Sequence, residues 1–226
     1  YKGDDGEYHP TYPEVVMNKN VGVFVAAIES YYTESFYENT NIELGESELI
    51  RSWGCLTDNV YMWLYSTHFT NYIYPYATWD SVVESYRFCY ENSGIYMFNE
   101  GQINQKNPTG FTKLKEYIDA KALVNVNVNY KELEAKFFRY YFADAAEPMY
   151  NYFRETDVSI SGRLNIVPDN KKHWQRQTLL KYMSYINKAY ETIEKYKTLD
   201  PGLYGTLKDR IVIESIFPRY ALLDIY

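Results

Sequence analysis

The first apolar run in the chain, Val21-Gly-Val-Phe-Val-Ala-Ala-Ile28, carries no polar side chain before Glu29-Ser30. Unbroken apolarity over this length predicts a strand buried on both faces, as in a parallel sheet. The residues before it are polar, are punctuated by Gly3, Gly6, Pro10 and Pro13, and read as loop. An acidic, Tyr-rich loop follows it, with a short helix over Glu46–Trp53. Asn59-Val-Tyr-Met-Trp-Leu-Tyr65 is a second strand and Ile95-Tyr-Met-Phe98, after the break at Gly94, a third. Between them Thr78 is expected to cap a helix reaching Tyr90, with Val82, Val83, Tyr86 and Tyr90 on one face.

From Gly110 onward the period is helical, beginning with Phe111, Leu114, Ile118 and Ala122. Asn129-x-x-Glu132 and Asp144-x-x-Glu147 each set a capping side chain three residues before an acid, a signature of helix starts. Leu179, Met183, Ile186, Tyr190 and Ile193 form one stripe over several turns, and Asp200-Pro201 opens a last helix. The expected class is α/β. Residues 1–125 read as a partial (β/α) barrel with three parallel strands, and residues 126–226 as a mainly α-helical C-terminal region. A complete barrel of the TIM type takes eight β/α units and roughly 250 residues, so the chain is expected to hold only the C-terminal portion of one. It starts at Tyr1 without Met and stops at Tyr226 inside an apolar pattern. The N-terminal half of its own barrel is therefore an expected partner.

Composition changes this picture in three ways. Tyrosine supplies 27 of 226 residues, and its ring and hydroxyl suit half-buried positions and wet binding surfaces, including platforms for sugar rings. Most of these tyrosines are expected simply to fill amphipathic faces. A net charge of −7 argues against a nucleic-acid partner. The densest basic cluster, Lys171, Lys172, His173 and Arg176, is better read as a solvated helix face. No run approaches the roughly 20 apolar residues of a membrane helix, and no signal peptide is visible. Cys55 and Cys89 lack metal spacing and are expected as two buried thiols, although one disulfide stays open. With only His9, His68 and His173, and no pair at ligand spacing, no metal is expected. Neither a Gly-rich phosphate loop nor a G-x-S-x-G elbow occurs, so no cofactor is expected.

Several segments in fixed order resemble a known bacterial family. They are Trp63-x-Tyr65 with Phe69-x-x-Tyr72 and Pro75, then Gly94-Ile-Tyr-Met-Phe-Asn-Glu-Gly101, then Leu114-Lys-x-Tyr117 through Lys121-Ala-Leu123-x-Asn125. Phe138, Tyr140 and Tyr141, followed by Ala145-Ala146, Met149 and Tyr152, complete the set. The segment from Val60 to Tyr152 is similar to a domain of unknown function (number 4838) from secreted proteins of carbohydrate-using bacteria, itself similar to the barrels of α-glucuronidases. Val124 stands where the family pattern leads one to expect Trp, and Phe142-Ala143 where Gly usually follows the Tyr pair. The resemblance implies a glycan-directed protein, secreted, periplasmic or on the bacterial cell surface, with no reaction assigned to the family as a whole.

In a barrel the site lies at the C-terminal strand ends. That rule selects Glu29 after the first strand, Tyr65 and His68 after the second, and Asn99 and Glu100 after the third. Glycoside hydrolysis uses two carboxylates, and Glu29 and Glu100 are the acids that end apolar strands. The plainer reading is that they cap the next element or stay solvated. Trp63, Tyr65, Phe69, Tyr72, Tyr74 and Tyr76 crowd one strand and its loop. They could stack on sugar rings while Asn71 and His68 bond hydroxyls, or pack against the absent half. Three functions follow: acid/base hydrolysis of an oligosaccharide or polysaccharide, including uronic-acid-containing glycans; glycan binding without catalysis; or a helical interaction scaffold.

Overall fold

The computed structural model describes residues 1–6, 8–28, 30–38, 45–67, 69, 71–101, 109–160 and 174–226. The chain is α/β, with a three-stranded parallel sheet and many helices. Strand β1 is Val23–Ala26, helix α1 Glu46–Leu56, β2 Val60–Tyr65, α2 Ser81–Glu91 and β3 Gly94–Glu100. Helices α3 (Thr112–Ala122), α4 (Tyr130–Phe142), α5 (Ala146–Ile160), α6 (Arg176–Ile193), α7 (Tyr196–Leu199) and α8 (Pro201–Ile225) follow. Two compact units emerge. The first comprises Tyr1–Ser66, Thr78–Gly101 and Asp119–Val128; the second comprises Thr67–Ala77, Gln102–Ile118 and Asn129–Tyr226.

In the first unit the strand order is β1-β2-β3, all parallel. Val23 to Ala26 pair with Val60 to Trp63, and Tyr61 to Tyr65 pair with Tyr96 to Glu100, with an irregularity between Val60 and Tyr61. Side chains alternate across a strand, so this register sorts them into two layers. Val25, Val60, Met62 and Leu64 form a buried layer, each at 4% exposure or less. Phe24, Tyr61, Trp63, Tyr96 and Phe98 form the other. The first strand was expected to be buried on both faces, yet Phe24 is 52% exposed. The reason is one-sided cover: α2 packs beside β3, and α1 lies next to α2, where the Arg51 guanidinium sits 5.0 Å over the Phe88 ring. The cap of α2 also differs from expectation. Asp80, not Thr78, accepts the backbone N–H of Ser81, while Thr78 is buried. Cys55 and Cys89 are not bridged to each other, and Cys55 is exposed rather than buried.

The second unit is a helical assembly in which α4 packs on α5, α5 on α6 and α6 on α8. Asn129 caps α4 through Glu132 N–H, and Asp200 caps α8 through Leu203 N–H, as their sequence spacing predicts. Asp144 does not cap. Residues Ala143–Ala145 make a 3-10 turn, and the Asp144 carboxylate instead takes Lys195 at 2.5 Å and the Tyr196 hydroxyl at 2.8 Å. Leu179, Ile186 and Ile193 of the α6 stripe are fully buried, and Tyr182 and Ala189 complete that face. Residue 214 is a node of this core. Pro218 lies inside α8 and has no N–H to donate to the Glu214 carbonyl one turn back. The buried Tyr152 hydroxyl donates to that carbonyl instead, at 3.1 Å. The Glu214 carboxylate, also buried, accepts the N–H of Phe111 at 2.9 Å. It thereby holds the start of α3, where Gly110 (φ 67°) and Phe111 (φ 58°) are both left-handed. A side chain at position 110 would press on the Pro75 backbone at 3.1 Å, so glycine is needed there for space as well as for φ.

Candidate functional site

The aromatic layer of the sheet is the feature most suited to a ligand. Phe24 stands edge-on to Trp63 (6.1 Å between centroids, 70°), Phe98 edge-on to Trp63 (5.0 Å, 81°), and Tyr61 edge-on to Tyr96 (6.1 Å, 75°). Trp63 is nearly parallel to Tyr65, at 6.0 Å and 18°. Edge-to-face and offset arrangements of this sort hold rings in place, which gives the layer a fixed relief. At its C-terminal end sits Glu100. Register places Glu100 beside Tyr65, and the Trp63 indole N–H donates to the Glu100 carboxylate at 3.3 Å. Burial, with the Glu100 charge as a second cause, pushes the Tyr65 hydroxyl above its ordinary pKa. The hydroxyl therefore stays protonated at neutral pH. Glu100 is the one acid in the three strands.

Three expected site residues, Trp63, Tyr65 and Glu100, thus meet on one face at the C-terminal strand ends. Asn99 does not join them. Alternation turns it to the buried layer, where its carbonyl oxygen accepts Ser66 N–H at 3.1 Å and its amide donates to Ser66 Oγ at 3.0 Å and Asp119 at 3.1 Å. The Tyr86 hydroxyl completes this network by donating to Asp119 at 2.9 Å. The hydrogen-bonding capacity of the Asn99 side chain is thereby spent on tying β2, β3 and α2 to residue 119.

Asn71, Tyr74 and Tyr76 belong to the second unit. Asn71 folds back on its own loop, its side-chain oxygen accepting Ile73 N–H at 3.0 Å. Tyr74 is 6% exposed, packed by Trp174, Phe217 and Tyr220 at 5.6–5.9 Å, with its hydroxyl directed at Asp224. Burial first, and the Asp224 charge second, push its pKa up to about 12. Tyr76 is 3% exposed, and the Lys115 ammonium lies 5.3 Å from its ring centre. Rings this enclosed offer no face to a ligand. Glu29 and His68 lie outside the described residues. The sequence did not single out Phe24, Tyr61, Tyr96 and Phe98 as site candidates. Their alternation with Val25, Met62 and Met97 was the available signal, hidden because both layers are apolar.

Fold and site together define an α/β protein on a parallel sheet, one layer of which is aromatic and accessible and ends in a carboxylate. The chain belongs to the family described as Domain of unknown function (DUF4838), whose model matches residues 7–155. Neither a curated protein nor a solved structure gives a significant match. No helix among the described residues is long and apolar enough to cross a membrane.

Proposed function

We propose that this chain forms the C-terminal portion of a glycoside-hydrolase-like (β/α) barrel that binds or acts on oligosaccharide or polysaccharide, with the aromatic layer as its inner wall. The observation that carries the reading is the Glu100 carboxylate, fixed by the Trp63 indole at the C-terminal end of parallel strands. That is where barrel enzymes place their chemistry. Parallel sheets are ordinarily covered on both faces; in a closed barrel the accessible layer faces inward, and strands added beyond β1 and β3 complete the wall. Trp63 and Phe98 then present ring faces to a sugar, and Glu100 accepts hydroxyl protons or takes part in acid/base chemistry. Glu29, three residues past β1, is the candidate second carboxylate. The reading places the protein outside the cytoplasm, where polymeric glycans are met.

Glycan binding without catalysis is the second reading, favoured by the single acid in the strands. The experiment is binding to a mixed plant- and host-glycan array by the chain, Trp63→Ala and Glu100→Gln, with hydrolysis of each bound glycan followed by product analysis. Binding lost in Trp63→Ala supports the platform. Hydrolysis lost in Glu100→Gln with binding retained selects the enzyme. Retained binding by Trp63→Ala moves the sugar site off this face and sinks the proposal.

A further inference from the structure

A second recognition feature lies in the helical unit. Between α3, α4 and α8 runs a groove of about 420 Å³, within the range of small-molecule sites. Phe137 is its buried floor, stacked on Tyr141 at 4.7 Å and 17°, with Tyr117 tilted against it at 5.9 Å. Tyr140, 73% exposed, stands at the rim. In a chain of net charge −7, this groove carries three cations and one acid. Lys113 is matched by Glu116 at 2.6 Å. Lys136 and Arg210 form no ion pair among the described residues.

Arg210 is the informative member. Its guanidinium carbon lies 4.2 Å from the centre of the Tyr141 ring, and one Nη donates to the Tyr141 carbonyl. Two contacts from different directions fix the plane of the guanidinium, so little rotamer freedom is lost when it binds a further partner. Of the acids near it on its own helix, Glu214, one turn on, is committed to Phe111 N–H, and the adjacent Asp209 does not line the groove. A planar cation held on an aromatic ring with donors to spare matches a carboxylate in geometry and charge. The tyrosine faces beside it supply the apolar contact that a ring needs.

We propose that this groove binds a small ring-shaped monocarboxylate, with Arg210 taking the carboxylate, Lys136 adding charge, and Tyr117 and Tyr140 flanking the ring. A uronic acid and an aromatic acid share that chemistry. Both are therefore titrated calorimetrically into the intact 226-residue chain, as glucuronic acid and 4-hydroxybenzoate, alongside their methyl esters and sulfate. At least one acid binds, its ester binds tenfold or more weakly, and the acid that binds names the source. Arg210→Gln lowers affinity at least tenfold, and Arg210→Lys recovers only part because the fork is lost. Lys136→Gln costs a few-fold. Thermal unfolding of each variant monitors the fold. Should Arg210→Gln fail to fold, the exposed variants Lys136→Gln and Tyr140→Ala decide. The proposal is overturned if neither acid binds, if ester and acid bind equally, if sulfate binds as tightly as the acid, or if both exposed variants keep full affinity.

Discussion

In the sheet unit, Phe24, Trp63, Tyr96 and Phe98 are each between 37% and 53% exposed, whereas in the helical unit Phe111, Phe142, Tyr152, Phe153 and Phe217 are at most 0% exposed. The polar ends of the rings differ in the same sense. Buried Tyr152 and Tyr182 donate to the Glu214 carbonyl and to Ser159, since an enclosed hydroxyl without a partner costs free energy. On the sheet the polar contact is the Trp63 indole to Glu100, at the accessible strand end. The core aromatics of the helical unit are thus enclosed while those of the sheet layer are accessible, and under the proposed function substitution separates a stability role from a recognition role.

The largest expected effect is in the helical core. Phe153 packs against Phe111 at 5.1 Å and Phe138 at 5.2 Å and is fully buried. Phe153→Ala is expected to cost about 3–5 kcal/mol by urea unfolding, through lost transfer free energy and the cavity left behind. A cost below about 1 kcal/mol would mean that this core is loosely packed and the contrast is false.

Glu214 comes next, because burial pushes its pKa up to about 8 against an ordinary 4.5, with the Phe111 and Gly110 N–H groups pulling the other way. The sign follows from linkage. Between these values the unfolded chain is ionised while the folded chain keeps its proton, so rising pH favours unfolding until the folded group also ionises. The destabilisation is absent below pH 4.5 and complete above about 8. Glu214→Gln keeps an acceptor oxygen for Phe111 and removes the titration. The stability difference between wild type and variant is therefore expected to shift in favour of Gln by a few kcal/mol, on the order of the pKa difference, between pH 5 and 9. Parallel stability profiles over that interval would show that residue 214 does not titrate there.

Asn99 tests whether the two layers of the sheet are distinct. Asn99→Ala removes one hydrogen bond each from Ser66 N–H, Ser66 Oγ and Asp119, for an expected cost of about 1–3 kcal/mol, and is expected to leave the proposed glycan binding on the aromatic layer unchanged. Binding lost without loss of stability would return Asn99 to the site.

Much of this architecture was legible in the chain. Apolar runs located all three strands, β2 within one residue of its start, and Asn129 and Asp200 announced their helices because capping chemistry is local. What failed was non-local. Asp144 carries the same spacing as Asn129 but is claimed by Lys195 and Tyr196, more than fifty residues on. Tyr74 and Tyr76 read as a sugar loop until Trp174, Phe217 and Tyr220 enclosed Tyr74 and Lys115 met Tyr76, contacts no local pattern reveals. Glu100 and Trp63 were legible as individual residues. Their meeting depended on register, which the Val60/Tyr61 irregularity shifts.

The smallest expected effect is also the sharpest test of the sheet's accessible layer. Phe98 is 43% exposed and meets Trp63 in a T-shaped contact, so its truncation removes only part of the apolar area a core phenylalanine would lose. At roughly 25 cal/mol per Å² of area actually buried, Phe98→Ala is expected to cost about 1–1.5 kcal/mol, and Phe24→Ala, at 52% exposure, no more. Both rings pack on Trp63 from different strands, so the cost of the double change is expected to depart from the sum of the two. If instead either change costs more than about 2 kcal/mol, the layer is covered in solution. Dilution then distinguishes a cover supplied by a second copy, whose effect falls with protein concentration, from one supplied by the chain itself. Only the low-cost outcome leaves Trp63 and Glu100 accessible to sugar in this chain alone.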